Sequence, residues 1–171
     1  ELDAPVCVHM YNWADYPFDT HYPEILKSRP ETEEQIRSLE QAGALCMPYL
    51  NGRLWDTTLP SWEETGLGLC VRDPAGRPVT EIYETSNIDL GVCCPTEEAY
   101  HERVAASCVE TVRRHQLPGV YLDQCGAAFG RRCYADHHAH APGGKDWNRG
   151  QRAMLKKLRK EGLDDAFPLL L

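Results

Sequence analysis

Gly119-Val120-Tyr121-Leu122-Asp123-Gln124 stands between a long amphipathic segment and a polar, glycine-rich one. Leu117-Pro118-Gly119 stops the preceding helix, a short β-forming run follows, and the run ends in a carboxylate and an amide. A buried parallel strand delivers an acid to the mouth of an α/β fold in this way. Its apolar residues lie between helices, and the acid emerges where the backbone leaves the sheet. An aspartate at a strand end also caps loops, so the segments on either side decide its meaning.

Upstream, Thr96 reads as the cap of a helix in which Tyr100, Val104, Cys108 and Val112 recur every four residues, widened by Ala105 and Val109. Downstream, residues 125–145 form a polar loop, and Asp146 reads as the cap of a last helix carrying Trp147, Met154, Leu155 and Leu158. Ala166-Phe167-Pro168-Leu169-Leu170-Leu171 begins a fourth strand.

The first half repeats the pattern. Residues 5–12 form an apolar strand ending in His9, Tyr11, Asn12 and Trp13. Thr32 and Gln35 have capping-box spacing, Ile36, Leu39 and Ala42 fall at helical intervals, and Gly43 supplies the stop. The second strand, residues 44–51, again ends in polar and aromatic residues. Two β-prone runs, residues 69–72 and 79–83, flank Asp73-Pro74-Ala75-Gly76-Arg77-Pro78 and predict a hairpin inserted in the exit loop.

Strand followed by helix throughout implies parallel βα units joined by right-handed crossovers. An open doubly wound sheet would carry a glycine-rich phosphate turn after its first strand, where this chain has His-Met-Tyr-Asn-Trp. The reading is therefore an α/β fold of (β/α)8 TIM-barrel type, one domain over residues 1–171. At 171 residues, against the ~250 of a full barrel, it amounts to roughly half a barrel with an inserted β-hairpin. The missing neighbours would come from a homodimer or from the rest of a larger barrel.

A net charge of -8 and a pI near 5.3 argue against a nucleic-acid or anionic-membrane partner, since both require clustered basic residues. The basic run 156–160 falls at a helix end, where it complements the dipole. No apolar run reaches the ~20 residues that span a bilayer, and the acidic start does not resemble a signal peptide. Eight cysteines without C-x-x-C pairs read as mostly free thiols, which hints at a cytoplasmic, reducing compartment. Polysaccharide hydrolases are commonly exported, so localisation stays open.

At the mouth of such a sheet the strand ends gather His9, Tyr11, Asn12 and Trp13, then Tyr49, Asn51, Arg53, Trp55 and Asp56, then Asp123 and Gln124. Aromatic faces beside amides and carboxylates suit sugar rings, whose C–H faces stack while their hydroxyls take hydrogen bonds. Carbohydrate is the expected partner. Asp123, kept ionised by a nearby Arg53, fits the nucleophile of a glycoside hydrolase, with Asp56 a weaker second carboxylate and the proton donor expected beyond Leu171. Glycoside hydrolysis calls for no cofactor. The polar loop offers an alternative, a zinc site drawn from Cys125, Cys133, His137, His138 and His140. Two rival functions accompany it: a non-catalytic carbohydrate-binding or assembly module, and a zinc-dependent hydrolase built on the Cys/His loop.

The segments H-M-Y-N-W, A-G-A-L-C-M-P-Y-L-N-G-R-L-W-D, G-V-Y-L-D-Q and H-H-A-H-A-P-G-G-K-D-W together resemble a bacterial group of glycoside-hydrolase-like (β/α)8 proteins of largely unassigned specificity, distantly similar to retaining α-glycosidases. The resemblance runs from Pro5 to Leu171 and covers only part of such a barrel. It implies Asp123 as nucleophile and His9, Tyr49, Asn51, Arg53, Trp55, Asp56 and His140 as pocket residues. His138, Tyr11, Asn12, Trp13 and Gln124 complete the expected substrate contacts. Gly143-Gly144-Lys145, where a third glycine is expected, departs from the pattern, as does the absent acid/base strand end.

Overall fold

The computed structural model describes residue 4 and residues 6–161. Three strands, β1 (Val6–Met10), β2 (Ala44–Asn51) and β6 (Tyr121–Asp123), form a parallel sheet in the order β1-β2-β6. Helix α1 (Thr32–Gln41) connects the first pair, and α3 (Glu98–His115) leads into β6. Helix α4 (Asp146–Lys160) follows β6 and packs on α3. Spatial order follows chain order, each crossover stepping the same way across the sheet. The fourth expected strand lies outside the described residues.

β2 is buried from Cys46 to Asn51 because both of its edges are paired and both of its faces are covered. Its near-continuous apolar sequence is what a central parallel strand requires. The stripe on α3 (Val104, Ala105, Cys108, Val109 and Val112) closes over the sheet, and Met154 and Leu158 of α4 join the same core. Gly43, at φ +80°, ends α1 as its position predicts.

Three helix caps differ from the expected ones. Thr32 is already helical, and its hydroxyl donates to the Trp13 carbonyl at 2.9 Å, tying α1 to the end of β1 instead of capping α1. The Thr96 hydroxyl donates to Glu97, which occupies the cap position of α3. Asp146 is the first residue of α4, whose cap is Lys145. For Thr32 and Thr96 a nearby acceptor takes the hydroxyl that local spacing assigned to the helix, and Asp146, one residue inside α4, pairs with Arg149 of the same helix.

The inserted hairpin is larger than expected. Its turn forms, with the Asp73 carboxylate accepting from the Ala75 and Arg77 amides. Its second arm, β4 (Thr80–Ile82), pairs with β5 (Asp89–Val92), which pairs in turn with β3 (Leu54–Asp56). This antiparallel sheet encloses a second core of Leu54, Val71, Leu90, Val92, Cys94, Cys133 and Ala135. The last two belong to the loop after β6, so the insertion and that loop share one interior. A π-helical turn, Trp62–Gly66, runs into the short α2 (Leu67–Leu69) and bridges β3 to the hairpin.

Gly150 sets how closely α4 can approach, because a Cβ there would meet the Pro95 carbonyl oxygen at 2.0 Å. Replacing a helical glycine by alanine ordinarily stabilises by up to about 1 kcal/mol. Against fixed backbone the sign reverses, and Gly150→Ala is expected to destabilise the fold by about 1–3 kcal/mol. Urea unfolding measures this directly, and a raised midpoint would show that α4 is not seated on Pro95.

Candidate active site

The register pairs Asn51 of β2 with Asp123 of β6, bringing two polar strand ends side by side. Asp123 is partly exposed, with its Oδ2 3.1 Å from the Tyr49 hydroxyl and its Oδ1 3.4 Å from the Tyr121 hydroxyl. Two residues before Asn51 on β2, Tyr49 is fully buried and its hydroxyl also lies 3.0 Å from Asp19 Oδ1. Asp19 had no place in the sequence reading. It is buried in the loop after β1 and accepts a second bond from Asn51 Nδ2 at 3.3 Å.

One phenol proton thus lies between two carboxylates. Burial foremost, with the charges of Asp19 and Asp123 behind it, pushes the Tyr49 hydroxyl far above its ordinary range, so it remains a donor. Burial also raises the Asp19 carboxyl, against the hydrogen bonds from Tyr49 and Asn51, and the Asp123 charge adds to the rise. The single Tyr49 proton is thus shared between the Asp19 and Asp123 carboxyl groups. Asp19, His21 and Gln124 all have positive φ, at 59°, 66° and 65°. Three non-glycine residues in this region around one cluster is the strained backbone typical of functional sites.

Above this cluster His9 stacks on Tyr121 with ring centroids 4.3 Å apart, and Tyr11 stacks on Tyr49 at 5.0 Å. His9 and Tyr11 are both exposed, so the mouth of the sheet has an aromatic floor.

Arg53 lies elsewhere than expected. Its guanidinium makes a two-pronged pair with Glu81 of β4, at 2.7 and 2.6 Å, and reaches Gln124 Oε1 at 3.2 Å. Arg131, from the loop after β6, adds a bond to Glu81 at 2.6 Å, and the Tyr83 hydroxyl adds another at 2.9 Å. Glu81 therefore takes the guanidinium that the sequence reading assigned to Asp123. β4 brings it there, and a hairpin residue gives no sign of that placement in the sequence.

Three other predicted residues are structural supports. Trp13 is buried, its indole donating to the Tyr49 carbonyl at 2.9 Å. Trp55 is buried against Tyr100, with its Nε1 3.3 Å from the Ser61 hydroxyl. Asp56 is buried and accepts from the His21 amide and from both the amide and the hydroxyl of Thr58, which leaves it no face toward the mouth. Asn51 accepts from the Arg53 and Leu54 amides while it holds Asp19. Exposed Asn12 lines a groove between β1 and α1.

His138 and His140 do not join the cluster around Asp123. They meet Cys133 and Cys94 in a cluster whose four ligand atoms lie within 4.8 Å of one another. Of the five residues in the predicted zinc set only Cys133, His138 and His140 come together. Cys125 is buried against the Gly52 carbonyl, and His137 is exposed and bonds the Gly68 carbonyl. Cys94, which follows β5, replaces them, because the antiparallel sheet carries it to the loop. Hydrogen bonding from Cys94 and then His138 holds the Cys133 thiol well below its usual range, and Cys94 is pushed up by the same contact and by burial.

A parallel sheet ending in a carboxylate contacted by two tyrosine hydroxyls and stacked aromatics makes this an α/β protein with a polar, aromatic strand-end cluster. The chain belongs to the family described as "Domain of unknown function (DUF6259)", whose profile matches residues 1–169. A Bacteroides thetaiotaomicron protein named "Putative glycoside hydrolase" is 33% identical over 156 residues, covering 90% of this chain and 23% of that protein. A Monosiga brevicollis protein named "Putative glycoside hydrolase 22789" is 28% identical over 178 residues, covering 93% of the chain and 15% of that protein. The chain thus spans less than a quarter of the length of these relatives. Among solved structures, the α-N-acetylgalactosaminidase NagBb of Bifidobacterium bifidum in complex with GalNAc superposes with a TM-score of 0.70 at 16% identity, over 93% of this chain and 25% of that one. A family 31 sulfoquinovosidase from E. rectale superposes with a TM-score of 0.60 at 13% identity, over 91% and 24%. At these identities the likeness shows the fold.

Hydrogen bonds from Arg53, outweighing the effect of burial, hold Glu81 at about 2 from its ordinary 4.5. A depressed carboxylate stabilises the fold fully above its unfolded value and loses that contribution as pH falls through the folded one. Stability is therefore expected to drop between pH 4.5 and about 2. Glu81→Gln should flatten that part of the curve while lowering stability at neutral pH. Thermal melts across the range read both effects, and an unchanged acid limb in the variant would contradict the pairing.

Proposed function

We propose that this chain is an arc of a (β/α)8 barrel and that it supplies the nucleophile, Asp123, to an enzyme that cleaves glycosidic bonds with retention. The placement of Asp123 carries the reading. It is a partly exposed carboxylate at the end of a parallel strand, held by two tyrosine hydroxyls beneath stacked aromatic rings. The uniform direction of the strand order and the likeness to solved glycosidases support the barrel.

In the proposed reaction an Asp123 oxygen attacks the anomeric carbon as the glycosidic C–O bond breaks, giving a glycosyl ester on Asp123. The leaving oxygen takes a proton from a carboxylic acid on the opposite side, and the resulting carboxylate then draws a proton from the water that opens the ester. Tyr49 orients Asp123, and Asp19 and Asn51 orient Tyr49. Asp19 is buried with its Oδ1 taken by Tyr49 and Asn51, Asp56 is buried with both oxygens engaged, and Glu81 is held by two arginines. The proton donor is accordingly assigned to a strand end of the complete barrel outside residues 6–161. His9, Tyr11 and Tyr121 form the stacking surface for a sugar ring.

The test uses the full-length enzyme and a panel of p-nitrophenyl α-glycosides. Asp123→Asn should lower turnover on the order of 10,000-fold with sugar binding retained. Azide should restore turnover to Asp123→Gly and give a glycosyl azide of inverted anomeric configuration. Tyr49→Phe removes a hydrogen bond to a charged group and should cost about 10- to 100-fold in kcat. Full activity in Asp123→Asn would remove Asp123 from the mechanism.

A further inference from the structure

We infer that Cys94, Cys133, His138 and His140 form a closed structural zinc site that fastens the loop after β6 to the inserted antiparallel sheet. The four ligand atoms converge within 4.8 Å, and three of the four residues are buried. Cys94 Sγ lies 3.3 Å from His140 Nε2, and Cys133 Sγ lies 3.3 Å from His138 Nδ1. Zinc–sulfur and zinc–nitrogen bonds at a tetrahedral angle place such atoms roughly 3.6 Å apart, so a small outward adjustment admits the ion.

The orientation of the imidazoles distinguishes this cluster from a chance meeting of polar side chains. His138 Nε2 lies 3.0 Å from the Gly68 carbonyl oxygen, and His140 Nδ1 lies 3.0 Å from that of Ala141. A carbonyl can only accept, so each contact fixes the proton on that nitrogen and leaves the other nitrogen's lone pair turned toward a cysteine. Zinc-bound histidines are fixed by their second nitrogen in this way. Around the cluster, Thr96 Oγ1 lies 3.1 Å from Cys94 Sγ, and a Glu97 carboxylate oxygen lies 3.8 Å from His138 Nδ1.

Two thiolates and two neutral imidazoles in a tetrahedral arrangement select zinc over calcium or magnesium, which require oxygen donors. Four protein ligands leave no open position for water or substrate, so the site is structural and the zinc-dependent hydrolase reading is not favoured. Cys94 anchors the end of β5, and the other three ligands belong to the loop that carries Arg131 to Glu81. The ion would hold one wall of the mouth from outside the reaction.

The purified protein, prepared under reducing conditions, is tested by elemental analysis and by cobalt(II) titration of the metal-free form. About one equivalent of zinc per chain is expected, and cobalt should give the intense visible absorption of a tetrahedral thiolate site that zinc displaces. Cys133→Ser and His140→Ala should each lower zinc content or affinity about tenfold or more, whereas His137→Ala, outside the cluster, should retain it. Cobalt titration of the wild type stands even where a ligand variant fails to fold. A wild type without zinc and without a tetrahedral cobalt spectrum would overturn the inference. Iron in place of zinc, or full zinc retention in both ligand variants, would do the same.

Discussion

The Tyr49 hydroxyl, shared between Asp19 and Asp123, is the contact on which the geometry of the mouth depends. It works because β2 is paired on both edges and covered on both faces, so Tyr49 cannot swing away. Within that enclosure the Tyr49 hydroxyl stays protonated and remains a donor between the two carboxyl groups. Asp123 is the one of the pair closer to solvent. The loop between β1 and α1 is held to the same strand through the Trp13 indole and the Asp19 carboxylate, and its positive-φ residues mark the backbone conformation this requires.

A second polar system lies beside the first and is built almost wholly by the inserted sheet. Glu81 gathers Arg53, Arg131 and Tyr83, and Arg53 in turn reaches Gln124, the residue after Asp123. The insertion thus acts as a buttress as well as a covering. It joins the exits of β2 and β6, shares a core with the loop after β6, and brings Cys94 to the cysteine and histidines of that loop. Burying a guanidinium is tolerable here because a two-pronged carboxylate and an amide oxygen receive it.

Much of this was legible from local pattern. The apolar run of β2, the four-residue stripe of α3 and the glycine ending α1 each depend on residues close together in the chain, and each formed where the periodicity placed it. Asp123 at a strand end followed from the same logic. β3 and β5 were not legible, being three and four residues long and stable only as partners of each other and of β4. The cap assignments for Thr32 and Thr96 failed because distant or adjacent acceptors competed for hydroxyls that spacing alone gave to the helix, and that for Asp146 because α4 begins one residue earlier.

By itself the sequence determined the alternation of strand and helix, the parallel sheet and the aromatic, carboxylate-bearing character of the strand exits, because these follow from hydrophobic period and residue type. Tertiary structure alone decided the partners of the charges and of the clustered cysteine and histidine side chains. Asp19 and Asp123 are brought together across 104 positions of chain. Arg53 goes to Glu81 and not to Asp123, and Cys94 takes the place in the cysteine–histidine cluster that Cys125 was expected to hold. The reason is that a long-range pairing between polar groups leaves no periodic signal. It is set by which strand ends the sheet places side by side, and by which loop an unanticipated antiparallel sheet brings against them.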